Sequence, residues 1–526
     1  MSGESPAPGH GRMVGRIATV GGLTLLSRLT GFVRDIVLAA VLGAGPIADA
    51  FFVALRLPNH LRAIFAEGAF NAAFVPAYAR VREQEGVAAV GLFADRIFTL
   101  MFATQVVLLA AALLFMPAVV DLLAPGFAKD PGRFSLAVEL TRITFPYLLL
   151  MTMVTLYGGI LNALSRFAAA AAAPILLNIS MVAALALAAF FPTAGHAAAW
   201  GVLAAGILET LLVGGAALRA DALPKFRRPR WDADVKRFFV ALGPAIVGSA
   251  GVQLALFADT IIASFLPAGA LSALYYADRL NQLPIGVIGI AAGTVVLPEM
   301  ARRIAAGDET GAANAQNRAI ELTLLLAIPC VVAFLIIPDL IMLALFARGA
   351  FTAADAAAAG ATLAAYTIGL IPFVLIRTVT ATFFARGDTA TPVKAALAAA
   401  AVNIAFKFAL MGPLAQVGLA LATAIGAWIN FGLVLWFALR AGLFRFDPRL
   451  QASVAKLAAA GIAMAVVLWI AFGPVRAFTA TFTHLRAETA LAILAAIGGV
   501  VYVGLVLTLF GPQWLAVLRR GRRSEP

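Results

Sequence analysis

Long apolar stretches separated by short joins recur from one end of the chain to the other. The runs 106–120, 168–191 and 322–337 lack the in-and-out alternation of ~10-residue membrane β-strands. Stretches of ~20 apolar residues are what a helix needs to cross the hydrocarbon core of a bilayer. The pattern predicts an all-α polytopic membrane protein with fourteen transmembrane helices. They run at about 15–43, 47–79, 90–116, 134–164, 170–191, 196–218, 238–266, 270–300, 316–337, 354–385, 392–411, 416–439, 453–474 and 487–518. Glycine and proline punctuate the joins, as at 42–46, 192–195 and 411–413.

The pattern also repeats. The second predicted helix reads Ala54-Leu55-Arg56-Leu57 and, about twenty residues on, Val75-Pro76-Ala77-Tyr78-Ala79-Arg80. The eighth reads Ala277-Asp278-Arg279-Leu280 and then Leu297-Pro298-Glu299-Met300-Ala301-Arg302. An offset of six helices preserves orientation, so the expected architecture is two pseudo-symmetric six-helix lobes related by an axis along the membrane normal, plus two C-terminal helices. The expected divisions are an N-terminal tail (1–14), an N-lobe (15–218), a basic linker (219–237), a C-lobe (238–440), a loop (441–452), two final helices (453–518) and a basic tail (519–526).

Composition agrees: 62% of the 526 residues are apolar and 12% are charged, against roughly a quarter charged in soluble domains. The net charge of +13 would suggest nucleic acid in a soluble protein. In a membrane protein, cytoplasmic loops collect Lys and Arg. With the N-terminus in the cytoplasm, inner segments hold 25 basic residues and outer segments, Lys129 and Arg133 among them, hold 5. Both termini are therefore expected inside. Arg12 and Arg16 precede an apolar stretch that imitates a signal peptide. Arg28, Arg34 and Asp35 interrupt it, so it is expected to be an uncleaved first helix. The lone Cys330 excludes a disulfide framework, and the four histidines have no metal-ligand spacing.

Nine basic residues remain inside the predicted crossings: Arg28, Arg34, Arg56, Arg62, Arg96, Arg142, Arg279, Arg377 and Lys407. A charge at mid-bilayer costs ~2.5–3.5 kcal/mol on insertion scales and is expected to face water or a partner. Arg28 and Asp35 share a helical face, as do Asp49 and Arg56. Gly31 and Pro58 are natural bends between arginines. Asn59 and Glu67 add polar groups to the second helix, and Asp278 neighbours Arg279. The balance from 28 to 67 is positive. Arginine pairs bidentately with phosphate and stays charged, so the cavity should take a phosphate- or carboxylate-bearing substrate. Arg96 is expected to snorkel to the inner surface. Asp259, Asn403 and Thr423 form a second polar set with Lys407, open either to a sodium ion or to an Asp259–Lys407 ion pair. The outer loops hold no paired carboxylates or nucleophile constellation, so an enzyme is not expected. Without a P-loop, the driving force would be a monovalent cation gradient or the membrane potential.

Specific runs carry a family resemblance. They are Ser27-Arg28-Leu29-Thr30-Gly31-Phe32-Val33-Arg34-Asp35, Ala48-Asp49-Ala50-Phe51-Phe52, Leu57-Pro58-Asn59-His60-Leu61-Arg62-Ala63-Ile64-Phe65-Ala66-Glu67-Gly68, Thr144-Phe145-Pro146-Tyr147, Tyr275-Tyr276-Ala277-Asp278-Arg279-Leu280 and Thr391-Pro392-Val393-Lys394. They resemble the MurJ (MviN) family of the multidrug/oligosaccharidyl-lipid/polysaccharide exporter superfamily, over essentially the whole chain. The resemblance implies a flippase for lipid II, the polyprenyl-diphosphate precursor of peptidoglycan, in the bacterial cytoplasmic membrane. It also implies a groove for the lipid tail along the last two helices. It carries substrate-binding roles onto Arg28, Arg34, Asp49, Arg62 and Arg279, and an inner-gate role onto Glu67. Asp35, Arg56, Asn59 and Asp278 are further cavity or gate candidates. Some relatives bind sodium where Asp259, Asn403 and Thr423 fall, with a carboxylate where this chain has Lys407, whose ammonium is expected to replace the ion. Two rivals stay open: a flippase for another polyprenyl-linked glycan, and a cation-coupled drug exporter, which would want an acidic cavity. No cofactor and no nucleic acid is expected, and the partners are lipid II and membrane lipids.

Overall fold

The computed structural model describes residues 10–62, 68–228 and 230–511. The described residues are helical apart from short connections and contain no strand. They fall into two compact units, Met1–Gly269 and Ala270–Pro526.

The first unit holds α1 (His10–Leu42), α2 (Pro46–Arg62), α3 (Gly68–Leu114), α4 (Met116–Leu123), α5 (Pro131–Thr144), α6 (Pro146–Ala163), α7 (Ala168–Ala186), α8 (Ala194–Leu218) and α9 (Ala233–Ser264). The second holds α10 (Ala270–Pro284), α11 (Ile290–Ala305), α12 (Glu309–Ile336), α13 (Pro338–Phe346), α14 (Ala353–Thr367), α15 (Leu370–Phe384), α16 (Ala390–Arg440), α17 (Pro448–Thr479) and α18 (Arg486–Phe510). The order of short and long helices recurs. Pro46 and Ala270, Met116 and Pro338, Pro131 and Ala353, Pro146 and Leu370, and Ala168 and Ala390 start matching helices about 222–224 residues apart. The division between units follows α9, which packs along α3, rather than the basic linker.

Local chemistry sets the helix starts. Asp130, Asp232, Asp308 and Asp447 cap α5, α9, α12 and α17 with a side-chain oxygen, and Thr352 and Asp355 form a capping box on α14. Two helices turn back on themselves. In α3, Gly86 takes φ 88°, which costs glycine little, and the rings of Phe74 and Phe93 stack at 5.9 Å across the two arms. In α16, Ala415 takes φ 46° just after Gly412-Pro413. Its arms pack so closely that a Cβ on Gly418 would strike the backbone of Leu410, and one on Gly426 the side chain of Asn403. Small residues serve close packing elsewhere, as expected of helices in lipid. A Cβ on Gly201 of α8, for example, would crowd Ala184 and the backbone of Met181 on α7.

Among the described residues, nine segments are long and apolar enough to cross a membrane, from 69–114 to 486–510. The predicted crossings at 134–164 and 354–385 each break in the middle, at Phe145-Pro146 and at Ile368-Gly369. The crossing at 270–300 contains a π-helical turn, Ile285–Gly289. The helices outside those nine include α1, α2 and α10, which carry Arg28, Arg34 and Asp35, then Asp49, Arg56 and Arg62, then Asp278 and Arg279. α2 and α10, with 17 and 15 residues, are too short to be plain apolar spans, and charge interrupts the 33-residue α1. Large side chains such as Leu211, Trp469 and Val500 are exposed on the helix exteriors, the arrangement of a protein solvated by lipid.

Candidate functional site

In the first unit, α1 and α7 are clasped by a polar network that begins at Arg34. Its guanidinium is buried and donates to Asp35 Oδ1 at 3.0 and 2.7 Å and to Asn178 Oδ1 at 3.0 Å. The Asn178 amide donates in turn to the Ser27 carbonyl and to Thr30 Oγ1, both at 3.0 Å. Gly31 faces the Asn178 side chain, and a Cβ there would be in ordinary van der Waals contact with its amide, 3.5 Å away. Asp35 is thus paired with its neighbour Arg34, one residue away, rather than with Arg28. Arg28 is exposed on the same helix and makes no hydrogen bond or ion pair among the described residues.

On α2, Asp49 is fully buried and faces Arg133 of α5, 3.0 Å away. The contact is coulombic rather than an aligned hydrogen bond. The Gly269 amide donates to Asp49 Oδ2 at 2.8 Å. Arg133 also donates to the Leu266 carbonyl at 3.4 Å and lies over the Phe127 ring, 3.7 Å from its centroid. Beside it, the Gly126 amide donates to Ser264 Oγ at 3.0 Å. Asp49 therefore does not pair with Arg56, whose guanidinium reaches Thr260 Oγ1 at 3.4 Å. Arg62 and Asn59 are half-buried at the far end of α2, and Arg62 lies within coulombic range of the buried Glu209 on α8. Tyr147 donates its hydroxyl to Glu209 Oε2 at 3.4 Å. Glu67 lies outside the described residues.

The basic linker is pinned to α3. Arg96 pairs with Asp232, Arg80 with Asp234 at 3.0 Å, and Arg227 with Asp95 at 3.0 Å. Arg96 thus meets the linker. Arg142 is exposed and makes no hydrogen bond or ion pair among the described residues.

In the second unit, Arg279 donates to the Tyr275 hydroxyl at 3.1 Å and lies 5.0 Å from the centroid of the same ring. Asp278 accepts from Gln282. Lys407 is buried on the first arm of α16. Asn403, one turn earlier, has a buried Oδ1 without a hydrogen-bond partner among the described residues, and Thr423 donates to the Leu419 carbonyl at 3.0 Å. Asp259 belongs to the first unit, so the four members of the second polar set divide between the units.

Reading the sequence for intramembrane arginines missed three residues. Arg133 falls one residue before the predicted crossing 134–164 and counts there among the outer charges; Asp130, a helix cap, was the available signal. Asn178 interrupts the apolar run 168–191. Glu209 is an acid inside the sixth predicted crossing, and counting bases alone passed over it.

The model of the family "Lipid II flippase MurJ" matches residues 38–489. A Rhizobium meliloti (strain 1021) protein described as a probable lipid II flippase MurJ is 42% identical over 464 residues, covering 87% of this chain and 86% of its own. The fold is similar to a solved structure titled as lipid II flippase MurJ in an inward closed conformation. The TM-score is 0.78 at 24% identity, over 93% of this chain and 98% of that one. It is also similar to an inward-facing multidrug resistance MATE transporter of the MOP superfamily, with a TM-score of 0.64 at 14% identity, over 81% and 98%. By the extent of the family match and of its relatives, the chain belongs to the lipid II flippase MurJ family.

Proposed function

We propose that this chain carries lipid II across the bacterial inner membrane, from the cytoplasmic to the periplasmic leaflet, by alternating access. The family match over 38–489 is the observation that carries the reading. It makes the chain a multi-pass inner-membrane transporter rather than an enzyme, with lipid II as substrate and membrane lipids as its surroundings. Fourteen crossings follow if α2 and the first arm of α3 form one crossing and the second arm of α3 another, the two arms of α16 count separately, the broken pairs α5–α6, α10–α11 and α14–α15 each count as one, and the short α4 and α13 count as none. Two six-helix lobes and two final helices, with both termini inside, complete the proposed topology.

In the proposed cycle Arg28, Arg34, Arg62 and Arg279 engage the diphosphate and headgroup, and the polyprenyl tail stays in lipid or along α17 and α18. Arg28 supports this best, because its charge has no acidic partner among the described residues. Arg34 and Asp49 are paired in the conformation described, so their engagement would need the clasps at Asp35 and Arg133 to open. The membrane potential, inside negative, favours outward movement of an anion by ~2.3 kcal/mol per charge per 100 mV. We propose it as the driving force, with the Lys407 ammonium standing in place of a sodium ion.

The direct test is translocation of labelled lipid II in liposomes, read by impermeant quenching, beside a polyprenyl-diphosphate glycan of different headgroup. Faster movement of lipid II supports the reading. Equal rates for both, or preference for the other glycan, would assign a different polyprenyl-linked substrate.

A further inference from the structure

The first unit carries a cavity of about 640 Å³ between α1, the turn joining α6 to α7, and the end of α8. Thr19, Val20, Ser165, Arg166, Phe167 and Arg219 are among its lining residues, and none of the lining residues is acidic. Arg166 and Arg219 are exposed, and their guanidinium groups make no hydrogen bond or ion pair among the described residues. The turn places Ser165 at φ 59° and delivers the chain into α7 at Ala168. No side chain caps α7, and Ala168 and Ala169, whose amides belong to its unpaired first turn, line the cavity. The site thus combines two unpaired cations with an uncapped helix start, and both attract an anion.

The second unit shows what balances such a turn. Before α16, Arg386 pairs with Glu309 and donates to the Thr382 carbonyl and Oγ1, each at 2.8 Å. Asp388 accepts from the Thr391 amide at 3.0 Å, so an acid serves the helix start. The corresponding turn of the first unit, Ser165-Arg166-Phe167, has neither acid. Arg166 and Arg219 both lie in segments that the Lys/Arg bias assigns to the inner membrane surface, where phospholipid phosphates are abundant. Leu161, Val20 and Phe167 add an apolar wall.

We propose that this cavity binds the phosphate diester of an anionic phospholipid headgroup. Arg166, Arg219 and the first amides of α7 hold the phosphate, and the apolar wall receives the glycerol and upper acyl chains. The site is separate from the arginines of α1, α2 and α10 and does not rest on the proposed substrate.

Native mass spectrometry of the full chain tests it, with phosphatidylglycerol, phosphatidylcholine and inorganic phosphate as probes. Arg166→Gln with Arg219→Gln should weaken phosphatidylglycerol binding by about tenfold or more. Arg228→Gln with Lys236→Gln, which removes two exposed charges outside the cavity, should leave it unchanged. Phe167→Asp, which supplies the missing acid, should also lose the lipid while keeping the melting temperature, so a folding failure of the first variant does not hide the answer. Equal phosphatidylglycerol retention by the cavity and control variants would overturn the proposal. So would retention of phosphatidylcholine at the level of phosphatidylglycerol, or full displacement of the lipid by millimolar inorganic phosphate, which would mark a free-phosphate site.

Discussion

Asp49 and Arg133 form an ion pair at 3.0 Å in which both side chains are almost wholly removed from solvent. The pair ties α2 to α5, and the Gly269 amide joins it from the segment after α9. Removing one partner of a buried pair leaves an uncompensated charge and costs ~3–5 kcal/mol, whereas replacing both is far milder. Arg133→Gln should therefore lower the detergent melting temperature sharply, and adding Asp49→Asn should recover most of the loss. Thermal unfolding of the two variants checks this. A double variant no more stable than Arg133→Gln would remove the pair from the account.

Asn178 bridges Arg34 to the Ser27 carbonyl and Thr30. Asn178→Leu strips Arg34 of one acceptor and leaves the Thr30 region without its donor, at ~1–3 kcal/mol per unsatisfied buried group. The expected result is a lower melting temperature and faster hydrogen exchange in α1 around residues 27–34. Unchanged exchange there would mean that the clasp does not hold α1 against α7.

The proposed energy source separates two outcomes. Collapsing the membrane potential in proteoliposomes should stop net lipid II movement, while replacing potassium by sodium at constant ionic strength should leave the rate unchanged. Strong stimulation by sodium would show that Lys407 does not replace the ion.

In the loop before α17, burial alone would raise the Asp447 carboxyl. The Leu450 amide, the Arg318 guanidinium and the Asn317 side chain outweigh it and hold the group below the ordinary carboxylate range. A carboxyl depressed in the folded state adds stability that is fully present above its unfolded pKa and is lost as pH falls through the folded one. Melting should therefore be flat from pH 7 to about 5 as far as Asp447 contributes, and fall below about pH 4. Asp447→Ala removes the cap of α17 and should cost ~1 kcal/mol at neutral pH, with a shallower acid loss. A native-like acid profile in that variant would assign the loss to other groups.

Much of the fold was legible because lipid imposes simple demands. Continuous apolar runs announced helices, and the glycine- and proline-marked joins at 42–46, 192–195 and 411–413 fall at helix ends or beside the bend of α16. The repeat was visible in two short matches because helices with the same neighbours keep the same polar positions. Partner choice was not legible. Periodicity put Arg28 with Asp35 and Asp49 with Arg56 on shared faces, but pairing depends on which helix packs alongside. The packing of α5 against α2 brings in Arg133, and that of α7 against α1 brings in Asn178. Arg133 had been counted among loop charges, since nothing in a linear count of bases registers burial.

The proposed function has Arg28 on α1 and Arg279 on α10 meet the anionic headgroup. Hydrogen bonds to charged groups are worth ~1.5–3 kcal/mol each, so losing both should slow transport by well over tenfold. The most direct measurement compares native protein with an Arg28→Ala, Arg279→Ala variant of equal melting temperature in liposomes, using labelled lipid II and impermeant quenching. Native protein should move the label to the opposite leaflet while the variant stays near protein-free liposomes. Equal translocation by the two would contradict the arginine-lined path.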